Sequence, residues 1–380
     1  MKRGKASTVK QRTSVPANDK KPPNTERIPL SSAPPPYHTV GIWLFMCVVC
    51  AYLFPTLEHI DHIATVETFT YSLLFSILQG SDSSIHSPSH STSLLVVAAF
   101  RLLSSAWIFY VVIDRVTGPG IAPHPSYRPK SKLLSTQLHL RGAFSLFPFT
   151  WWCVVLLGCS FALSGVIPLL YYYENYYASQ EDTESASYLS PWLLRAALLS
   201  FEVVAPCEFL VATVVKYALW PHALRARGTA GTAVFRSFHG IFSHNVTVIL
   251  ILMELIIGGI PVAMSHVAVS PIFGLLYVLF TWCMSNTLAK AAVEPVPLKK
   301  TGTTVWKRRN NVGPQFLYFF MDTTLGWTTS IALIVLLVVL LTFYAMFSVI
   351  DNVMEHMQGG LVTRLLGSMG LVALVCRFRD

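Results

Sequence analysis

Charge is what this sequence has least of. Only 12% of its 380 residues are Asp, Glu, Lys or Arg and 53% are apolar, against about 25% and about 45–50% in soluble domains. With a mean hydropathy of +0.52, that deficit excludes a soluble globular enzyme and points to an integral membrane protein. The first 30 residues hold no apolar run, which argues against a secretory signal, and their prolines argue against the amphipathic helix of a mitochondrial presequence. There is no glycine loop to cradle phosphate, no metal-ligand spacing and no convincing internal repeat, so no cofactor is expected. The seven cysteines all fall in apolar segments, so no disulfide framework is expected. Cys47-Val-Val-Cys50 has redox or metal spacing but sits in an expected spanning helix, where a buried thiol packs as a small hydrophobe.

What is present is a series of apolar runs. A spanning helix needs about 20 mostly apolar residues. Seven such runs are expected to cross, at 39–57, 94–113, 144–170, 191–220, 240–260, 270–290 and 326–350. The fold class is therefore an all-α, polytopic transmembrane helical bundle. Its parts are a disordered basic tail (1–38), an extra N-terminal spanning helix with an interfacial segment and loop (39–93), a six-helix core (94–350), and an amphipathic or short eighth helix (351–380). The weaker run 66–79 reads as interfacial or re-entrant.

Charge placement tests this count. The tail 1–38 holds eight Lys/Arg against Asp19 and Glu26. Segment 58–93 has four acids and no Lys/Arg, whereas 114–143 has five Lys/Arg and one acid. Segment 171–190 is again acidic, 221–239 carries Arg225, Arg227 and Arg236, 261–269 is free of Lys, Arg, Asp and Glu, and 291–325 is basic. A miscounted helix would break this alternation. Because short basic loops stay cytoplasmic, the N-terminus and the basic loops are expected in the cytoplasm of an endoplasmic reticulum or plasma membrane protein. The tail's partner is then anionic lipid heads rather than nucleic acid. The Asn245-Val-Thr247 sequon falls at a helix start on that side and reads as accidental. Glu58-His59-Ile60-Asp61-His62 and His86-Ser-Pro-Ser-His90 read as solvated loop.

The chemistry-bearing stretch is Phe238-His-Gly-Ile-Phe-Ser-His244-Asn-Val-Thr247, which runs into an apolar helix containing Glu254. Ionisable groups inside a membrane are costly and mark function. Helix counting places Thr150 about two turns into its helix and His244 about one turn into its own, at comparable depth on the basic side. A hydroxyl needs a neighbouring base to become a nucleophile, and an imidazole suits that role. Glu254, ten residues beyond His244, is about 15 Å deeper and cannot orient it. Glu208 and Lys216, eight apart on one helix, are expected to be able to pair.

At these residues the chain resembles the androgen-induced protein family, multi-pass threonine hydrolases of fatty acid esters of hydroxy fatty acids. His239-Gly-Ile-Phe-Ser-His244 through Glu254 is similar to the family's histidine helix. Leu146-Phe-Pro-Phe-Thr150-Trp151 is similar to its nucleophile helix, and Ser190-Pro-Trp-Leu-Leu194 to the start of the helix between them. The resemblance covers roughly 94–350 and departs from the family at Val293–Leu298. It implies Thr150 as nucleophile, His244 as its base and an acyl-enzyme on Thr150, with a hydrophobic acyl lipid entering from the bilayer. The alternative is a transporter or scaffold that uses Arg101, Glu202, Glu208, Lys216, His244 and Glu254 as a polar pathway without covalent chemistry.

Overall fold

A computed structural model describes residues 32–71, 88–125, 127–176, 189–297, 304–309, 312–356 and 360–379. Most of the basic tail, and His86, lie outside the described residues. The chain is an all-α polytopic bundle. Among the described residues, six helices are long and apolar enough to cross a membrane. There are seven if α1 (Tyr37–Tyr52) and α2 (Leu57–Ile63), bent by 60° at their break, count as one. The break falls at Phe54-Pro55, where proline withholds the N–H that would continue the helix. Thr56 then caps α2 by accepting the His59 N–H at 3.3 Å.

Short α3 (Val66–Thr70) leads on to α4 (Pro88–Thr117) and α5 (Phe149–Tyr176). Next comes a helix that runs as α6 (Pro191–Val214), a π-turn (Val215–Leu219) and α7 (Trp220–Gly231). Short α8 (Ala233–Arg236) precedes a second composite: α9 (Phe238–Ile241), a π-turn (Phe242–Val246) and α10 (Thr247–Ile257). The chain finishes with α11 (Val269–Ala289), α12 (Trp327–His356) and α13 (Gly360–Val375).

Helices in lipid gain little from burying apolar surface against each other, so close approach and buried polar bonds hold them. α5 lies tightly on α4 through Gly158 and Gly165. A methyl at Gly158 would sit 3.0 Å from Ile108, and one at Gly165 3.0 Å from the Arg101 stem. The short approach also lets Ser105 Oγ donate to the Gly158 carbonyl at 2.8 Å. Arg101 of α4 binds three other elements. Its Nη2 meets Glu254 Oε1 of α10 at 2.5 Å, and its Nη1 donates to the carbonyls of Phe69 (2.7 Å) and Ser164 (3.1 Å). Both charges are fully buried.

The two ends of the bundle differ in charge, as the connections imply. Three antiparallel strands, β1 (Gln137–Leu138), β2 (Ala292–Pro297) and β3 (Thr304–Arg308), join the basic connections 114–143 and 291–325 on one face. The start of α1 is tied to the same face, where Thr39 meets Ser330 at 2.9 Å. At the other face Arg195 forks onto Asp61 at 2.6 and 2.7 Å, and Asp351 accepts the Val262 N–H at 2.8 Å.

The loop reading of Glu58–His62 is corrected. The stretch is helical, and His59 Nε2 lies 2.7 Å from Ser265 Oγ. Thr56 nucleates this turn, a capping signal that histidine counting overlooked. The Glu208–Lys216 pairing is corrected too. Glu208 accepts from Thr247 at 2.9 Å, while Lys216 Nζ reaches the Ala373 and Leu374 carbonyls of α13. Lys216 lies in the π-turn that begins at Val215, where its ammonium caps the end of α13 instead of meeting Glu208. α13, about 24 Å long, has its first turns bonded to Glu355 near the acidic face and its end bonded to Asn245 near the basic one.

Candidate functional site

The basic face holds a cavity of about 780 Å³. Thr150 and Trp151 of α5, His239 and Gly240 of α9, and Ser243 and His244 of the second π-turn line it, together with the connection residues His124 and Gln137. The two residues singled out by sequence therefore share one cavity, though they come from helices about ninety positions apart. Their depths in their helices are the reverse of the expectation. A 3₁₀ turn, Gly142–Leu146, precedes Pro148, and α5 begins only at Phe149. Proline favours a helix's first turn because its missing N–H is unneeded there. Thr150 is thus in the first turn, and His244 is about two turns into the span Phe238–Ile257.

The position of Thr150 has a chemical consequence. First-turn N–H groups have no partner within the helix, and the helix dipole makes that end partly positive. Tyr318 Oη accepts the Phe149 N–H at 3.3 Å and the Pro148 carbonyl accepts that of Trp151 at 2.9 Å. No acceptor engages the Thr150 N–H among the described residues. An aromatic wall supports the turn from below. Phe149 lies 5.0 Å from the Tyr277 ring and Trp152 4.6 Å from Phe280, and Tyr277 Oη donates to the Phe147 carbonyl at 2.9 Å. Burial pushes the Tyr318 phenol up to about 12, so it stays neutral at ordinary pH.

His244 is set by packing. Its Nδ1 is buried and has no hydrogen-bond partner, and its ring meets Phe235 edge-on at 6.3 Å. Glu254 is taken by Arg101, and no Asp or Glu among the described residues lines the cavity. Its lining instead holds the guanidinium groups of Arg115 and Arg227 and the imidazoles of His124, His239 and His244. Arg115 stacks over Trp151 at 5.0 Å, and its buried Nε is unpartnered. The His239 ring lies 5.9 Å from Trp151 and within 3.0 Å of Asp114. Sequence reading counted Arg115 and Arg227 only as loop charge that sets orientation, and it missed the Thr150 N–H; the gathering of basic connections on one face was the available signal for an anion site there.

The remaining intramembrane carboxyl groups lie elsewhere, each with a local partner, while Glu208 Oε1 and His266 Nε2 are buried without one. Arg101 holds Glu254, Glu208 holds Thr247, and Glu202 holds His266 Nδ1 at 2.7 Å and the Ala263 N–H at 3.0 Å. Asn245 of the sequon is buried and bonded to Arg377, which is no place for a glycan. No cluster of three metal-binding side chains occurs among the described residues.

This is a multi-pass membrane protein with a polar cavity at its basic face. Comparison with family models, curated proteins and solved structures found no match to the chain.

Proposed function

We propose that the protein is a membrane-embedded hydrolase of acyl esters, with Thr150 as nucleophile and His244 as its base. The observation that carries this reading is that Thr150, at a helix N-terminus with its own N–H free, and His244, with a ring nitrogen unclaimed, line one cavity. Thr150 Oγ attacks the ester carbonyl and its proton passes to His244. The carbonyl oxygen becomes an oxyanion facing the first turn of α5, where the free Thr150 N–H and the helix dipole favour negative charge. The intermediate then collapses. The bond to the leaving alcohol breaks, and that oxygen takes the proton from His244. Water, deprotonated by His244, next attacks the acyl-Thr150 carbonyl, releasing the acid and restoring the hydroxyl.

The resemblance to the androgen-induced protein family supports fatty acid esters of hydroxy fatty acids as the substrate class. Such a molecule carries an ester carbonyl and a free carboxylate. The guanidinium groups of Arg115 and Arg227, in a cavity without acids, suit that carboxylate. The pathway reading gains no comparable support, because its charged groups bond in separate local pairs rather than lining one cavity.

The test is labelling by a fluorophosphonate probe. The wild type is expected to be labelled at Thr150, with labelling lost in both Thr150→Ala and His244→Ala. Undiminished labelling in both variants sinks the proposal. The cytoplasmic placement of the N-terminus belongs to the same proposal and is read by protease protection of the tail in sealed vesicles.

A further inference from the structure

No side chain is bonded to His244 Nδ1, so the aim of the imidazole rests on its backbone. That backbone is a π-turn, Phe242–Val246. Single π-turns of this kind are rare inside α-helices and recur at functional sites. The next residue, Asn245, is only 3% exposed and grips the end of the chain. Its Nδ2 donates to the Arg377 carbonyl at 2.7 Å, and the Arg377 N–H donates back to Asn245 Oδ1 at 3.0 Å.

The other π-turn, Val215–Leu219, holds the same segment slightly earlier. Lys216 Nζ donates to the carbonyls of Ala373 and Leu374 at 2.5 and 2.8 Å, and Tyr217 Oη donates to Leu374 at 2.7 Å. These are last-turn carbonyls, which a helix leaves unpaired and where a cation is favoured. The Arg377 guanidinium then lies 5.1 Å over the Trp220 ring. Both composite helices thus depart from α geometry where they hold the C-terminus.

We propose that the C-terminal segment Cys376–Arg377 is a strap that positions His244 through Asn245. A π-turn carries one residue more than an α-turn. If it relaxes, one end of the helix turns by about 100° relative to the other. His244 then leaves the cavity wall. The strap fixes the turn and so does for the imidazole what a bonded carboxylate does in a triad. Asn245 and Arg377 are positioning residues, Arg377 through its main chain. The catalytic consequence rests on the hydrolase reading above, whereas the hold on His244 does not.

Two readouts on the full-length protein in nanodiscs separate these. One is the rate of fluorophosphonate labelling at Thr150, with its pH profile. The other is carbethoxylation of His244 by diethylpyrocarbonate, followed by mass spectrometry. Ending the chain after Val375, or Asn245→Ala, is expected to slow labelling by about 10- to 100-fold, the scale of a small misplacement of a catalytic group. Probe half-saturation stays near the wild-type value and His244 carbethoxylation becomes several-fold faster. Asn245→Asp, which keeps the acceptor for the Arg377 N–H, falls between. If the shortened chain does not fold, Asn245→Ala decides. Folded variants with wild-type labelling, pH profile and carbethoxylation overturn the strap and leave the hydrolase reading standing. If His244 carbethoxylation changes while the wild type is never labelled, the hydrolase reading falls and the strap stands.

Discussion

Two polar regions of this bundle are built on opposite rules. In the middle of the membrane, Arg101 and Glu254 satisfy each other and two further carbonyls, with neither charge exposed. At the basic face, Thr150, His244 and Arg115 surround a cavity with an N–H, a ring nitrogen and a guanidinium nitrogen unclaimed. A buried polar group without a partner costs about 1–3 kcal/mol. Such atoms also occur singly elsewhere, as at Glu208 Oε1 and His266 Nε2; what distinguishes the basic face is that three of them gather around one cavity, whereas Arg101 and Glu254 close on each other.

The sharpest way to break the comparison is at the open groups. Thr150→Ala or His244→Ala is expected to lower ester turnover by about 10³-fold or more, as loss of a nucleophile or its base does elsewhere, while the thermal unfolding midpoint in detergent hardly moves. The closed pair should behave in the opposite way. Arg101→Leu leaves Glu254 buried and alone, at a cost of about 3–5 kcal/mol. Adding Glu254→Leu to that variant should recover most of the loss in thermal unfolding. A double variant no more stable than the single would show that the pair is not a closed unit. Next in size is Arg115→Gln or Arg227→Gln. Either is expected to raise KM for a carboxylate-bearing ester by about 10-fold, the scale of one hydrogen bond to a charged group, and to leave KM for its methyl ester unchanged. Gly258→Ala follows, since the added methyl would overlap the Glu254 carboxylate. Overpacking of that kind costs about 1–3 kcal/mol, and urea or thermal titration should read it as stability without a change in KM.

The smallest effect is one of pH. The Tyr318 phenol is raised to about 12 in the folded protein by burial, against about 10 in an unfolded chain. Its contribution is fully present below pH 10 and is lost as pH climbs through about 12. Unfolding followed across that window should lose this step in Tyr318→Phe.

Much of the architecture was legible in the sequence because lipid imposes simple rules. Apolar length marked the crossings, and the alternation of Lys/Arg with Asp/Glu sorted the connections into the two faces that β1–β3 and the Arg195–Asp61 pair bring together. The neighbourhood of Thr150 and His244 was legible for the same reason, since topology put both helix starts at one face. Depth within each helix was not, because Pro148 delays α5 and a π-turn interrupts the histidine helix. Partners were not legible either. Arg101 meets Glu254 across 153 positions and Glu208 chooses Thr247 over Lys216. Such choices depend on how helices rotate about their axes, and composition says nothing of that.

By itself, then, the sequence determined a membrane bundle, its two charged faces, and the basic end as the place where a threonine and a histidine could meet. Desolvation decides these matters residue by residue, so they can be read along the chain. Only the tertiary structure decided that Glu254 belongs to Arg101, that Thr150 sits at a helix N-terminus, and that the chain's end is bonded beside His244. Those outcomes turn on which polar atoms fall within about 3 Å of one another, and that distance is set by helix packing.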